Sequence, residues 1–217
     1  QFWVPRGAEG KDGAYVSFPV DHLMHMVAEE SGTHRCMVVG EDLGTVPDGL
    51  RERLARRNFL SYKVLWFERD GAVFRTPEAY PYLSLACLGS HDLPTFAGWA
   101  SGAHLDLDHR LKRTPDEAKQ RRDYEIQRAE LQTAFDAAGL PRGDPMLIAH
   151  EFLDRTGSAV AFVQVDDLFG ETEPLNVPGT DREYPNWRRR SSRPVSDVLR
   201  DARAQAILDI MRRERSE

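Results

Sequence analysis

Residues 36–54 read CMVVGEDLGTVPDGLRERL. The small and apolar run Cys36 to Gly40 ends in the acids Glu41 and Asp42, and a helical pattern opens near Pro47, where proline suits a first turn. A β-rich run that ends in acid and hands over to a helix is the repeating unit of parallel α/β sheets. Three more such runs follow. Leu60 to Phe67 ends at Glu68, Arg69 and Asp70, Tyr82 to Leu88 runs into Gly89-Ser90-His91-Asp92, and Ala159 to Val165 ends at Asp166-Asp167.

Around these strands lie the helices. One is expected from about Val20 to Glu30. The best marked begins at Thr114, Pro115 and Glu117, read as a capping box with proline at the first position; Tyr124, Leu131, Phe135 and Ala138 form its apolar stripe, and Gly139 and Pro141 end it. A shorter helix runs near Pro145 to Leu153. A long loop then leads to a terminal helix from about Pro194, with Val195, Leu199, Ala202, Ala206 and Ile210 on its buried face. No repeat or low-complexity stretch interrupts the pattern.

Composition narrows the function. With 29 Lys and Arg against 35 Asp and Glu, the net charge of -6 is the opposite of what phosphate recognition needs, so no nucleic-acid partner is expected. The arginine-rich stretch after Arg182 is read as a solvated helix face. No run approaches the roughly 20 apolar residues of a membrane span, so no membrane partner is expected and a cytoplasmic location is. Cys36 and Cys87 both sit in apolar runs and are read as buried core thiols of a reducing compartment. The aromatic, prolyl opening QFWVPRG suggests that the chain starts inside a domain.

In parallel α/β architectures sites form where the strands end, which places Glu41, Asp92 and Asp166 on one rim. Glu41 directly follows an apolar strand, and desolvation there would raise its pKa toward that of a general acid. It could equally cap the next helix or pair with a neighbouring arginine. Asp92, beside His91, is either a second site carboxylate or a turn aspartate bonding its own backbone. Two carboxylates on one rim are the minimum equipment for glycoside chemistry, and pattern alone pairs Glu41 with Asp92. Trp3, Tyr62, Trp99 and Trp187 could stack on sugar faces or serve as core. His22 and His25 lie three apart on a helix, but no third ligand stands at a metal-binding spacing.

Five stretches carry a resemblance. GAYVSFPVDHL (13–23), VVGEDLGTVPDGLRERL (38–54), LSYKVLWFERD (60–70), SHDLPTFAGW (90–99) and NVPGTDREYPNWRRR (176–190) resemble, in order and spacing, the C-terminal part of 4-α-glucanotransferases. These are the amylomaltases, or disproportionating enzymes, of glycoside hydrolase family seventy-seven. The resemblance implies an α/β fold, the C-terminal half of a (β/α)8 TIM-type barrel with helical insertions, over residues 1–217. It implies retaining transfer of α-1,4-glucan segments from maltooligosaccharides and similar glucans to an acceptor 4-hydroxyl, with no cofactor.

Carried over by motif, Glu41 matches the general acid/base and Asp92 the carboxylate that holds sugar hydroxyls and stabilises the transition state. His91 matches a substrate-binding histidine. Asp92 is therefore not expected to be the nucleophile, as the bare pattern suggested. Asn176, Asn186 and Trp187 are candidate subsite-wall residues or, equally, structural residues of their loop.

The family's nucleophile stands in an Arg-Ile-Asp-His type motif, and no Arg-x-Asp-His occurs in this chain, which alone is expected to be inactive. Two further departures are Gly89-Ser90 before His91, in place of a threonine, and a divergent stretch from Gly102 to Pro145. The competing expectation is a non-catalytic glucan-binding fragment. A third is a hydrolase of another superfamily using Glu41 and Asp92 alone.

Overall fold

A computed structural model describes residues 2–44 and 46–212. The chain divides into two units, one ending at Ser61 and the other beginning at Tyr62.

In the first unit, β1 (Phe2–Trp3) pairs antiparallel with β2 (Ala14–Tyr15), and the Phe2 and Tyr15 rings sit 4.9 Å apart. Helix α1 (Val20–His34) runs four residues beyond the expected end, until Arg35 turns left-handed. No α1 residue is buried, and Leu23, Met26 and Val27 are exposed. The first predicted strand is short, only β3 (Val39–Gly40). Cys36 lies outside it and is exposed, which corrects its reading as a core thiol. Helix α2 (Leu50–Ala55) follows, three residues after Pro47. It leads to β4 (Leu60–Val64), whose Leu60 and Ser61 pair in parallel with Val39 and Gly40.

The second unit holds the main core. After β4 the chain tightens into a 3-10 turn, Leu65–Phe67, instead of continuing the strand, and a hairpin of β5 (Arg69–Asp70) and β6 (Val73–Phe74) follows. Strand β7 (Ser84–Cys87) is buried throughout, and here Cys87 is the core thiol expected. Helices α3 (Phe96–Ala100), α4 (Ala103–Arg110), α5 (Glu117–Ala137) and α6 (Pro145–Asp154) separate it from β8 (Val160–Phe162). Strands β7 and β8 pair in parallel, Leu85 with Val160 and Cys87 with Phe162. Each unit thus holds parallel-paired strands among helices, so the α/β class with parallel strands stands.

Local chemistry explains where the elements start and stop. Asp116, not Thr114, caps α5: its carboxylate accepts the Lys119 N–H at 2.8 Å, so the predicted capping box does not form. Tyr124, Leu131 and Phe135 are buried as expected, and Gly139 ends the helix at φ +66°. Strand β8 stops at Phe162; Asp166 and Asp167 open a further helix, α7 (Val165–Phe169), instead of ending a strand.

The predicted terminal helix is two elements, a 3-10 turn Val195–Arg200 and α8 (Ala202–Ile210), with Asp201 capping the second by accepting the Ala204 N–H. That break resets the helical phase. Val198, Ala204 and Ile207 face the core, while Val195 and Leu199 are exposed. Among the described residues no helix is long and apolar enough to cross a membrane.

The core of the second unit gathers Phe135 and Phe152, rings 5.5 Å apart, with Leu153, Ile207 and Ala149. His150 is fully buried beside them. Its Nδ1–H donates to the Met146 carbonyl at 2.8 Å, Nε2 has no hydrogen-bond partner among the described residues, and desolvation pushes its pKa down to about 4. Because Phe152 is 1% exposed, Phe152→Ala is expected to lower stability by about 3–5 kcal/mol in urea unfolding. Val195→Ala, at an exposed site, should stay within about 0.5 kcal/mol.

Candidate active site

In the first unit the chain leaves β3 as Glu41-Asp42. Asp42 is the buried member. Its Oδ2 accepts the Arg51 Nε–H at 2.9 Å and the Ser61 hydroxyl at 2.7 Å, and a second Arg51 N–H reaches its backbone carbonyl at 2.9 Å. The arginine pairing considered for Glu41 thus belongs to its neighbour. Glu41 itself is exposed, which corrects the expectation of a desolvated carboxyl group at this position. The clamp on Asp42 anchors the backbone on which Glu41 stands.

In the second unit β7 runs out through Gly89 into Ser90-His91-Asp92, and α3 begins six residues after Ser90. Thr95 caps that helix, accepting the Gly98 N–H at 3.0 Å and donating to the Glu171 carbonyl. A Cβ at Gly98 would fall 2.3 Å from the Thr172 carbonyl oxygen, so the close approach requires glycine. Ser90 makes the turn contact, its hydroxyl accepting the Asp92 N–H at 3.3 Å, which leaves the Asp92 carboxylate for other partners.

Those partners come from the NVPGT loop. Asn176 Nδ2 donates to Asp92 Oδ1 at 2.6 Å, and His91 Nε2 lies 3.5 Å from the same oxygen. Asp92 Oδ2 has no hydrogen bond among the described residues. The His91 ring stands 5.1 Å from that of Trp187, which is 59% exposed. Trp187 adopts φ +61°, a left-handed conformation rare for a bulky residue, and its N–H donates to the Leu175 carbonyl at 3.0 Å. Asp92, His91, Asn176 and Trp187 therefore form one group.

Asn186 does something else. Its Oδ1 accepts the Val177 N–H at 2.9 Å and its Nδ2 donates to both Thr180 oxygens, so both ends of the amide organise the loop. Trp99 belongs to the core, and Trp3 is exposed in the first unit. His25 lies 3.4 Å from Glu29, and no group of three or more potential metal ligands gathers among the described residues.

After β8, Asp166 is held by Arg189 at 2.7 Å. Asp167, which the motifs did not single out, is 1% exposed; its Oδ1 accepts the Phe96 N–H at 3.4 Å and its Oδ2 has no partner among the described residues. Desolvation, with a smaller push from Asp166, raises its pKa to about 7. An acid after an apolar run was the available signal, but burial alone separates it from Asp166.

The family model for 4-alpha-glucanotransferase, glycoside hydrolase family seventy-seven, matches residues 1–196. The chain belongs to the 4-alpha-glucanotransferase family. It is 33% identical over 213 residues to the 4-alpha-glucanotransferase of Haemophilus influenzae, covering 91% of this chain and 30% of that protein. It is 34% identical over 230 residues to that of Mycobacterium bovis, covering 97% and 32%. A crystal structure of amylomaltase from Corynebacterium glutamicum superposes with a TM-score of 0.91 at 28% identity, over 99% of this chain and 34% of that one. Amylomaltase from Streptococcus agalactiae, solved in complex with acarbose, shares the fold with a TM-score of 0.68 at 20% identity, over 96% and 37%. This member of the 4-alpha-glucanotransferase family spans about a third of the length of the relatives it matches.

Asp167 and His150 pull stability in opposite directions with pH. Asp167 has a folded pKa above its ordinary 3.8, so its contribution is full below that value and is lost as pH rises through about 7. His150 has a folded pKa below its ordinary 6.5, so its contribution is full above 6.5 and is lost as pH falls toward about 4. Asp167→Asn is therefore expected to make stability rise between about pH 4 and 6.5, by on the order of 3 kcal/mol. His150→Gln should make it fall between about pH 4 and 7. Urea titrations at stepped pH check both slopes.

Proposed function

We propose that the chain supplies the acid/base side of a 4-α-glucanotransferase, which moves α-1,4-glucan segments onto an acceptor 4-hydroxyl by retaining double displacement. In this reading residues 1–217 form the C-terminal half of a (β/α)8 barrel. The nucleophile comes from a segment outside them, since no Arg-x-Asp-His occurs in the sequence. The observation that carries the reading is the Asp92 group: a carboxylate oriented through Oδ1 by Asn176 and His91, with Oδ2 left for sugar hydroxyls.

Glu41 is assigned the general acid that protonates the departing glucan oxygen and the base that then deprotonates the acceptor hydroxyl. Its exposure suits a group that must reach substrate. Asp92 would bind hydroxyls of the reacting sugar, and its negative charge would stabilise the developing oxocarbenium character. Trp187 offers an apolar face beside His91 for a sugar ring. Asn186 acts through the loop, as a positioning residue for its neighbour Trp187.

A second reading, a non-catalytic glucan-binding fragment, is favoured by the same missing motif. It predicts glucan binding with no change in chain length under any reconstitution.

Joined to a nucleophile-bearing segment, the chain is expected to convert maltotriose into glucose, maltopentaose and longer products resolved by chromatography. Glu41→Gln should reduce that transfer by about 10²–10⁴-fold while leaving maltooligosaccharide affinity within about twofold. Equal turnover in variant and parent overturns the assignment of Glu41.

A further inference from the structure

The backbone of Trp187 is held from both sides. A left-handed conformation at a bulky residue persists only where its surroundings over-determine it. Before Trp187, the Asn186 amide fixes the loop through Val177 and Thr180. After it, side chains pin the chain to α7 and the two residues that follow that helix. Arg189 Nη2 donates to Asp166 Oδ2 at 2.7 Å, and Arg189 Nη1 lies 3.7 Å from Glu171 Oε2. The Ser192 N–H donates to Glu171 Oε1 at 2.6 Å, and the Arg193 guanidinium lies 4.6 Å from the centre of the Phe169 ring.

The same segment holds the other wall of the group. The Thr95 hydroxyl donates to the Glu171 carbonyl, the Phe96 N–H donates to Asp167 Oδ1 at 3.4 Å, and Gly98 packs against the Thr172 carbonyl. Thr95 and Phe96 follow Asp92 by three and four residues. Residues 166–172 thus brace both the His91-Asp92 turn and the Trp187 segment, and Arg189 grips this brace at two points. Its side chain is 15% exposed and that of Glu171 12%, so water competes little for the charges, unlike at a surface ion pair. Such a clamp can hold a geometry.

We infer that Arg189 is a positioning residue of the Asp92 group: clamped between Asp166 and Glu171, it holds the left-handed backbone of Trp187 so that the indole stays beside His91. Arg189 itself touches no sugar. Its effect on binding rests on the reading of the Asp92 group as a glucan site. Lysine does not replace it, because an ammonium is a point donor and lacks the planar fork that reaches two carboxylates at once.

Two measurements on the intact chain test this role. In the proton NMR spectrum the ring current of Trp187 shifts the His91 Hε1 resonance, which is identified by its loss in His91→Gln. Trp187→Gly keeps the left-handed turn, removes the ring and gives the unshifted reference. Arg189→Lys keeps the charge between the acids, and Asp166→Asn keeps the shape of one of them. Each is expected to move the His91 resonance at least halfway to that reference and to weaken maltoheptaose binding in calorimetric titration about threefold to tenfold. In a Trp187→Gly background the same substitutions should change affinity by less than about 1.5-fold, since they act through the ring. An unmoved His91 resonance, an unchanged affinity, or a loss that persists without the ring overturns the role of Arg189. The Asp92 reading then still stands if Asp92→Asn abolishes binding. No maltoheptaose binding by the parent chain overturns the Asp92 reading, and the His91 resonance alone then decides whether Arg189 places the ring.

Discussion

The parallel pairing of Ser84–Cys87 with Val160–Phe162 governs the second unit. Strands that run the same way release their chains at the same edge, so Gly89-Ser90-His91-Asp92 and the segment from Val163 to Asp167 emerge side by side although 75 residues separate Leu85 from its partner Val160. The four intervening helices must then return the chain to the opposite edge, and the buried faces of α5 and α6 build the core in doing so. Thr95 and Gly98 lock the start of that excursion against Glu171 and Thr172. Asn176 is consequently within reach of Asp92 across 84 residues of sequence.

The acids that follow strands divide into two kinds by their surroundings. Asp42 and Asp166 neutralise arginines, and Asp167 is sealed in the core; each holds the scaffold. Glu41 stands next to Asp42 in sequence, and both Glu41 and Asp92 are exposed. The burial cost of the first kind is offset by local partners or by a shifted proton equilibrium, and that rigidity fixes the backbone carrying the second kind. Exposed carboxylates and carboxylates that hold the frame both follow strands, and neither kind identifies itself by residue type.

This explains what could be read from sequence. The alternation of strand and helix and the parallel pairing of strands follow from hydrophobic period and turn residues, which act locally. What could not be read depended on tertiary partners. Asp116 outcompeted Thr114 for the cap because the helix began two residues later than proline suggested. The face of the terminal segment shifted because Asp201 interrupts it, exposing Val195 and Leu199. Cys36 fell outside a strand shorter than its apolar run. Motif resemblance singled out Glu41, His91 and Asp92 as candidates, but the division of labour between Asn176 and Asn186 lay in hydrogen bonds that no spacing encodes.

Trp187 holds its ring beside His91 from a backbone conformation that costs a bulky L-residue about 1–2 kcal/mol. Glycine would relax that backbone and stabilise the loop, yet it would delete the ring. Selection for stability and selection for the ring therefore act against each other at this one position. The ring beside His91 is thus held at a cost that the fold by itself does not require.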